Sequence, residues 1–160
     1  MQRHQVVFKK RFKRELCVVC SAGGHLSEAL SAIAKADADT YFVTKRDEHV
    51  ASRIKNFDVC YVNDPHTSIM GFIINGFKSL LIFLKQRPEI VLSTGSGIAL
   101  ATCMLGKLYG SKIIYIESGA RVVAPSKTGK FMYKYADVFY VQWKSMLKVY
   151  PDAIYVGGLI

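Results

Sequence analysis

Short apolar runs, separated by stretches of helical character, constrain this chain more than any other feature. The runs cover Glu15 to Ser21, Thr40 to Thr44, Asp58 to Val62, Glu89 to Ser93, Lys112 to Glu117, Asp137 to Val141 and Ala153 to Val156. Between them lie an Ala-rich stretch from Leu26 to Ala36, a polar one from Asp47 to Lys55, a long apolar one from Ser68 to Gln86, and another apolar one from Gly97 to Tyr109. The strand runs are continuous in Val, Ile and Leu rather than alternating. That pattern belongs to strands covered on both faces in a parallel sheet. Arg87-Pro88 stops the third helix and Gly110 the fourth. The expected fold is therefore α/β: a Rossmann-like, doubly wound, mainly parallel sheet of about seven strands. No repeat, low-complexity tract or internal linker divides the chain, and 160 residues suffice for one core. The expected organisation is a basic tail over residues 1–14 and one domain over 15–160.

The formal charge is +10, from 22 Lys and Arg against 12 Asp and Glu. Arg3, Lys9, Lys10, Arg11, Lys13 and Arg14 concentrate that charge at the start. Such a tail suits an anionic lipid surface or nucleic acid, or is simply a solvated terminus. The apolar run behind it is too short for a secretory signal. Cys17 and Cys20 have CxxC spacing, but Val18 and Val19 place them within a strand, where they point to opposite faces. No second Cys/His pair has zinc spacing, so no metal site is expected and the thiols read as buried.

In a parallel sheet the turns after the strands open onto one edge, and three of these turns are unusual. They are Ser21-Ala-Gly-Gly-His25, Ser93-Thr-Gly-Ser-Gly97 and Glu117-Ser-Gly-Ala-Arg121. Small residues let a ligand approach the backbone, and each turn leads into a helix start, whose free N–H groups suit phosphate or polyhydroxyl ligands. Plainer readings stand beside this one: Gly-Gly as a tight turn, His25 as a cap or packing residue, and Glu117 paired with Arg121. Neither the GxGxxG nor the GxxxxGK[ST] spacing is present, and no nucleotide or other cofactor is expected on this chain.

The 68–86 helix carries an apolar stripe of Ile69, Ile73, Phe77, Leu80 and Leu84, enough to pack on the sheet. Met70, Phe72, Ile74, Leu81, Ile82 and Phe83 extend the apolar character around it, while Lys78, Lys85 and Arg87 are placed to snorkel. Its length and its polar interruptions make it a poor spanning segment. The sequence therefore reads as an amphipathic helix lying in a headgroup region, or as a helix buried by the sheet and a partner subunit.

The segments "SAGGHLSE", "STGSG", "IESGARVVAPSKTGKFMYKYADVFYVQW" and "AIYVGGLI" resemble the Alg14 / PssD / CpsF group of polysaccharide-biosynthesis proteins. The likeness runs from about Leu16 to Ile160 and is most specific from Glu117 to Trp143. It implies the amino-terminal half of a split GT-B glycosyltransferase, similar to the first domain of the peptidoglycan enzyme MurG. The resemblance also implies a separate Alg13 / PssE / CpsG-type subunit that supplies the nucleotide-sugar site. The sequence ends just after its last expected strand, which fits a missing half supplied in trans. The chain shows a basic tail where eukaryotic members have an amino-terminal transmembrane helix.

The resulting expectation is a membrane-associated, acceptor-binding subunit of a UDP-sugar-dependent transferase that extends a polyprenyl-diphosphate-linked glycan in capsule, exopolysaccharide or O-antigen synthesis. It would sit at the cytoplasmic face of the plasma membrane, bound to an anionic surface, and have no nucleic-acid partner. His25 and Glu117 are the expected candidates for the base. Ser21, Gly23, Gly24, Thr94, Gly95, Ser96, Gly97, Ser118, Gly119 and Arg121 are the expected acceptor and diphosphate contacts. Lys9, Lys10, Arg11, Ile69, Phe72, Ile73, Phe77, Lys78, Leu81 and Lys85 are the expected membrane contacts. The rival expectations are a scaffold that only recruits a complete transferase and a stand-alone nucleotide-binding enzyme.

Overall fold

The computed structural model describes residues 12–65 and 68–160, so Lys9, Lys10 and Arg11 lie outside the described residues. Its strands are β1 (Arg14–Val19), β2 (Thr40–Thr44), β3 (Asp58–Tyr61), β4 (Pro88–Ser93), β5 (Lys112–Ile116), β6 (Val138–Val141) and β7 (Ile154–Tyr155). Its helices are α1 (Gly24–Ile33), α2 (Glu48–Arg53), α3 (Ile69–Gln86), α4 (Ala99–Tyr109) and α5 (Lys127–Met132), with a 3-10 turn at Lys144–Lys148. The strands form one sheet in the order β3-β2-β1-β4-β5-β6-β7, and every pairing is parallel. The chain starts in the middle of the sheet, winds outward through β2 and β3, then crosses back to lay β4 beside β1. That reversal is the topological switch, where sheets of this kind leave a crevice at the strands' carboxyl ends.

The alternation of β1 fixes two cores. Cys17 and Val19 pack with Val91, Cys103, Ile113 and Met132 beneath α3, α4 and α5. Val18 and Cys20 pack with Leu26, Ala29, Phe42 and Val50 beneath α1 and α2. Cys17 and Cys20 thus lie on opposite faces, as successive strand side chains must. Burial pushes the Cys20 and Cys103 thiols up to about 12 and that of Cys17 higher still, so these three are inert packing groups. Arg14, counted in the tail from sequence, belongs to β1 and is paired with Asp39 at 2.7 Å and Asp58 at 2.9 Å.

Helix α3 differs from the expectation in its orientation. Ser68 caps it, accepting from the Gly71 N–H at 3.3 Å, and Arg87 ends it in the left-handed conformation ahead of Pro88. Its buried residues are Asn75, Ser79 and Phe83, while most of the stripe expected on the sheet faces outward, with Ile69 81%, Ile73 59%, Phe77 62% and Leu84 41% exposed and Leu80 half-buried. The reason is a polar ladder on the inner side. Thr102 Oγ1 donates to Ser79 Oγ at 3.3 Å, Ser79 makes a long contact to Asn75 Oδ1 at 3.5 Å, and Asn75 Nδ2 donates to the Asn63 carbonyl at 2.6 Å. Buried polar groups that satisfy one another cost little, and their mutual demand turns the apolar stripe away from the core.

Candidate functional site

The carboxyl ends of β1, β4 and β5 meet at a cleft of about 530 Å³, lined by His25, Ser96, Ser118, Arg121, Ser126 and Lys127, among others. His25 sits in the first turn of α1, where Gly23, with φ 75°, turns the chain sharply from β1 into the helix. It is tied across the topological switch by a reciprocal pair. His25 Nδ1 lies 2.7 Å from the Thr94 carbonyl, and Thr94 Oγ1 donates to the His25 carbonyl at 2.7 Å. A carbonyl oxygen only accepts, so Nδ1 carries the hydrogen and Nε2 of the neutral ring holds the lone pair. Gly95 lies beneath the ring with φ 112°. A Cβ there would stand 3.0 Å from His25 Cε1 and 3.2 Å from the Tyr115 hydroxyl, so any side chain displaces the imidazole.

The wall opposite His25 is the loop after β5, and Glu117 organises it from within. Glu117 is 1% exposed. Its Oε1 accepts from the Ser118 N–H at 3.2 Å, and its Oε2 accepts from the Tyr150 hydroxyl at 2.9 Å and the Ser126 N–H at 3.2 Å. Burial and the Glu117 charge together push the Tyr150 phenol well above its ordinary range, which keeps it a hydrogen-bond donor. Gly129 of α5 sits against the same carboxylate, with a hypothetical Cβ 2.0 Å from Oε2. Glu117 was expected as a candidate base facing the cleft. Its carboxylate instead points between the sheet and α5, where three donors engage it, and it makes no ion pair with Arg121.

The loop is held from its other side as well. Glu28, 2% exposed on α1, accepts with Oε1 from the Gly119 N–H at 2.7 Å and Ser118 Oγ at 3.2 Å. Trp143 Nε1 donates to the Gly119 carbonyl at 2.6 Å, and Gln142 Nε2 donates to the Glu117 carbonyl at 3.1 Å. A smaller cavity of about 280 Å³ lies behind the loop, lined by Gly24, Glu28, Gly119, Gln142, Trp143 and Ile160, among others.

The expected contacts therefore divide. His25, Ser96, Ser118 and Arg121 line the cleft, Ser96 with a left-handed backbone at φ 81°. Thr94 and Gly95 are buried beneath it, and the Gly95 N–H donates to Ser93 Oγ at 3.1 Å. The Gly119 N–H is likewise committed to Glu28, so neither of these amides faces a ligand. Gly24 opens on the rear cavity, Gly97 lies 3.8 Å (from its hypothetical Cβ) from Pro65, and Ser21 is half-buried in its turn and does not line the cleft. Sequence reading missed Ser126, Lys127 and Thr128, which start α5, and also Glu28, Gln142, Trp143 and Tyr150. Ser126 after Pro125 is a helix-start signal, and Glu28 stands three residues after His25, one helical turn along.

Two cations and several hydroxyls line the cleft with no carboxylate among the lining residues, a composition that suits an anionic, oxygen-rich ligand. Among the described residues, no three His, Cys, Asp or Glu side chains group to hold a metal ion. On the α3 side of the sheet, Ile69, Phe72, Ile73, Phe77, Lys78, Leu81 and Lys85 are all exposed. Against the sequence expectation of a poor spanning segment, this helix suffices by length and composition to cross a membrane, with mean hydropathy 1.3 and only 17% of its span buried.

The chain matches the family described as "Oligosaccharide biosynthesis protein Alg14 like" over residues 16–159. It is 31% identical to the UDP-N-acetylglucosamine transferase subunit alg14 of Schizosaccharomyces pombe, across 93% of this chain and 85% of that protein. It is 28% identical to the corresponding Candida albicans subunit, across 95% and 82%. The structure of Acinetobacter baumannii MurG superposes with a TM-score of 0.67 at 12% identity, covering 82% of this chain and 42% of MurG, a likeness of fold. A parallel Rossmann-like sheet and a near full-length match agree: this chain belongs to the Alg14-like family of oligosaccharide-biosynthesis proteins.

Proposed function

We propose that this chain is the acceptor-binding, membrane-associating subunit of a two-chain glycosyltransferase, and that a second subunit of Alg13 / PssE / CpsG type holds the UDP-sugar. The observation that carries this reading is the cleft where the turns after β1, β4 and β5 meet, with His25, Arg121 and Lys127 on its walls. The relatives are named as subunits of a UDP-N-acetylglucosamine transferase, which makes N-acetylglucosamine the first sugar to test. In this reading Arg121 and Lys127 pair with the diphosphate of a polyprenyl-linked acceptor. The acceptor hydroxyl attacks the anomeric carbon, the bond to UDP breaks with its electron pair on the diphosphate, and the hydroxyl proton passes to His25 Nε2. Glu117 supports this site by holding its wall.

The exposed apolar face of α3, flanked by Lys78 and Lys85, is the surface that rests in the headgroup region. The finer setting is the cytoplasmic face of a bacterial plasma membrane and the synthesis of capsule, exopolysaccharide or O-antigen. It rests on the likeness to PssD and CpsF.

The test is transfer of labelled sugar to a short-chain polyprenyl-diphosphate acceptor by this chain assembled with its catalytic subunit. UDP-N-acetylglucosamine is compared with UDP-glucose, UDP-galactose and UDP-glucuronate. His25→Ala lowers kcat by about 10²- to 10⁴-fold, the usual range for a lost general base. Transfer by this chain alone overturns the two-chain reading. Undiminished transfer by the His25→Ala pair overturns the role of His25 and favours a recruiting scaffold.

A further inference from the structure

Glu28 has a second oxygen that the fold does not use. Oε1 holds the Gly119 N–H and Ser118 Oγ, as described, but Oε2 is buried and has no hydrogen-bond partner among the described residues. Its notable neighbour is His25 Nδ1 at 3.9 Å, across one turn of α1. A buried carboxylate oxygen without a donor is costly to keep. Holding the loop does not require it, because a glutamine in the same place offers Gly119 and Ser118 the same acceptor oxygen. The feature that only a carboxylate supplies is the negative charge behind the imidazole.

We propose that Glu28 is a positioning residue for the transfer reaction: its Oε1 fixes the Ser118–Gly119 wall opposite His25, and its charge stabilises the imidazolium formed when Nε2 takes the acceptor's proton. The proposal rests on the reading of His25 as the base. The division of labour follows the geometry. Thr94 holds the Nδ1 hydrogen at 2.7 Å and so fixes the tautomer, leaving Glu28 at 3.9 Å as a charge rather than a competing acceptor. Because α1 carries both residues, their backbone separation is set within one helix, while the loop bonds hold the Glu28 carboxylate in place. The same carboxylate therefore couples the wall of the cleft to the group that works in it.

The experiment measures kcat and KM for the assembled two-chain enzyme with Glu28→Gln, Glu28→Asp, His25→Ala and the double variant His25→Ala/Glu28→Gln, with thermal melting of each. Glu28→Gln keeps the acceptor oxygen and is expected to melt close to wild type. Its kcat falls roughly 10- to 100-fold, a part of the full effect of a general base, and KM for acceptor and donor stays unchanged. Glu28→Asp restores the charge and recovers kcat above Glu28→Gln. Within the His25→Ala background, Glu28→Gln produces no further loss, because its effect passes through the ring. Full kcat in Glu28→Gln overturns the proposal and leaves Glu28 a loop anchor. An equal loss from Glu28→Gln with and without His25 also overturns it, as does Glu28→Asp no better than Glu28→Gln. The His25→Ala arm tests the base by itself: undiminished transfer there removes that reading and this proposal together. A loss in His25→Ala with none in Glu28→Gln removes only the proposal.

Discussion

Phe77 and Phe83 lie six residues apart on α3 and should respond oppositely to substitution. Phe77 is 62% exposed and Phe83 is 2% exposed. A phenylalanine presents roughly 200 Å², so the open part of Phe77 is about 120 Å². At about 25 cal/mol per Å², moving that area from water into lipid is worth up to about 3 kcal/mol, or about 100-fold in a partition constant. Phe77→Ser should thus weaken binding of the whole chain to vesicles of phosphatidylcholine with about one third phosphatidylglycerol by up to that factor. The cost to the fold should stay near the roughly 0.5 kcal/mol typical of surface positions. Phe83→Ala removes a ring packed beneath the same helix and should cost about 3–5 kcal/mol. At about 2–4 °C per kcal/mol for a domain of this size, its melting temperature falls by roughly 6–20 °C. Co-sedimentation with vesicles and thermal melting by circular dichroism read the two effects separately. If Phe77→Ser binds vesicles as wild type does, the outward face of α3 is not a lipid contact. If it destabilises as much as Phe83→Ala, the assignment of inner and outer faces is wrong.

Two further predictions concern the fold, one beside the cleft and one at the opposite, amino end of the sheet. Gly129→Ala places a methyl 2.0 Å from Glu117 Oε2 and 2.8 Å from Ser126 Oγ, so α5 must shift and loosen the Tyr150 and Ser126 bonds. A cost of about 1–3 kcal/mol follows, lowering the melting temperature by roughly 2–12 °C; a change within error would show that the loop is softer than its bonding implies. At the rim of β5, burial raises the affinity of the Asp137 carboxyl for its proton. The Ile113 N–H at 2.8 Å and the Lys107 ammonium overcome this, holding the carboxyl below the usual range. A depressed carboxyl contributes stability above its unfolded value, about 3.9, and loses it as pH falls through the folded value. Asp137→Asn should therefore have a lower urea midpoint than wild type at pH 7, with the gap closing in acid; a gap independent of pH would remove the charge from the explanation.

The sheet was legible because strands buried on both faces leave unbroken apolar runs, and the helices between them force parallel pairing. The cleft was legible in outline because a parallel sheet delivers every carboxyl-end turn to one edge. What the residues hid was orientation. The stripe from Ile69 to Leu84 has the spacing of a core-facing helix, and only the pairing of Asn75, Ser79 and Thr102 across α3 and α4 reveals that the other side faces in. Glu117 continues the parity of Ile113 and Tyr115, which sends it to the α5 side of β5. That inference needed α5, a six-residue helix containing Gly129 that gives little periodic signal.

The inverted helix and the cleft are connected, and under the proposed function the connection bears on how a lipid-linked acceptor would meet both. Helix α3 starts at the carboxyl edge of the sheet, so Ile69, Met70 and Ile73 are exposed beside the strand-end turns. Pro65 bridges the two regions. Its carbonyl oxygen lies 2.6 Å from a hypothetical Cβ on Gly71 in α3, and its ring 3.8 Å from one on Gly97 in the turn after β4. An acceptor with an anionic diphosphate between a sugar and a long hydrocarbon needs a polar cleft and an apolar surface at one edge, and this arrangement supplies both. The polar ladder under α3 is therefore the feature to disturb: replacing Asn75 and Ser79 by leucine invites the helix to roll its apolar stripe inward. Such a variant should keep its fold while losing vesicle binding.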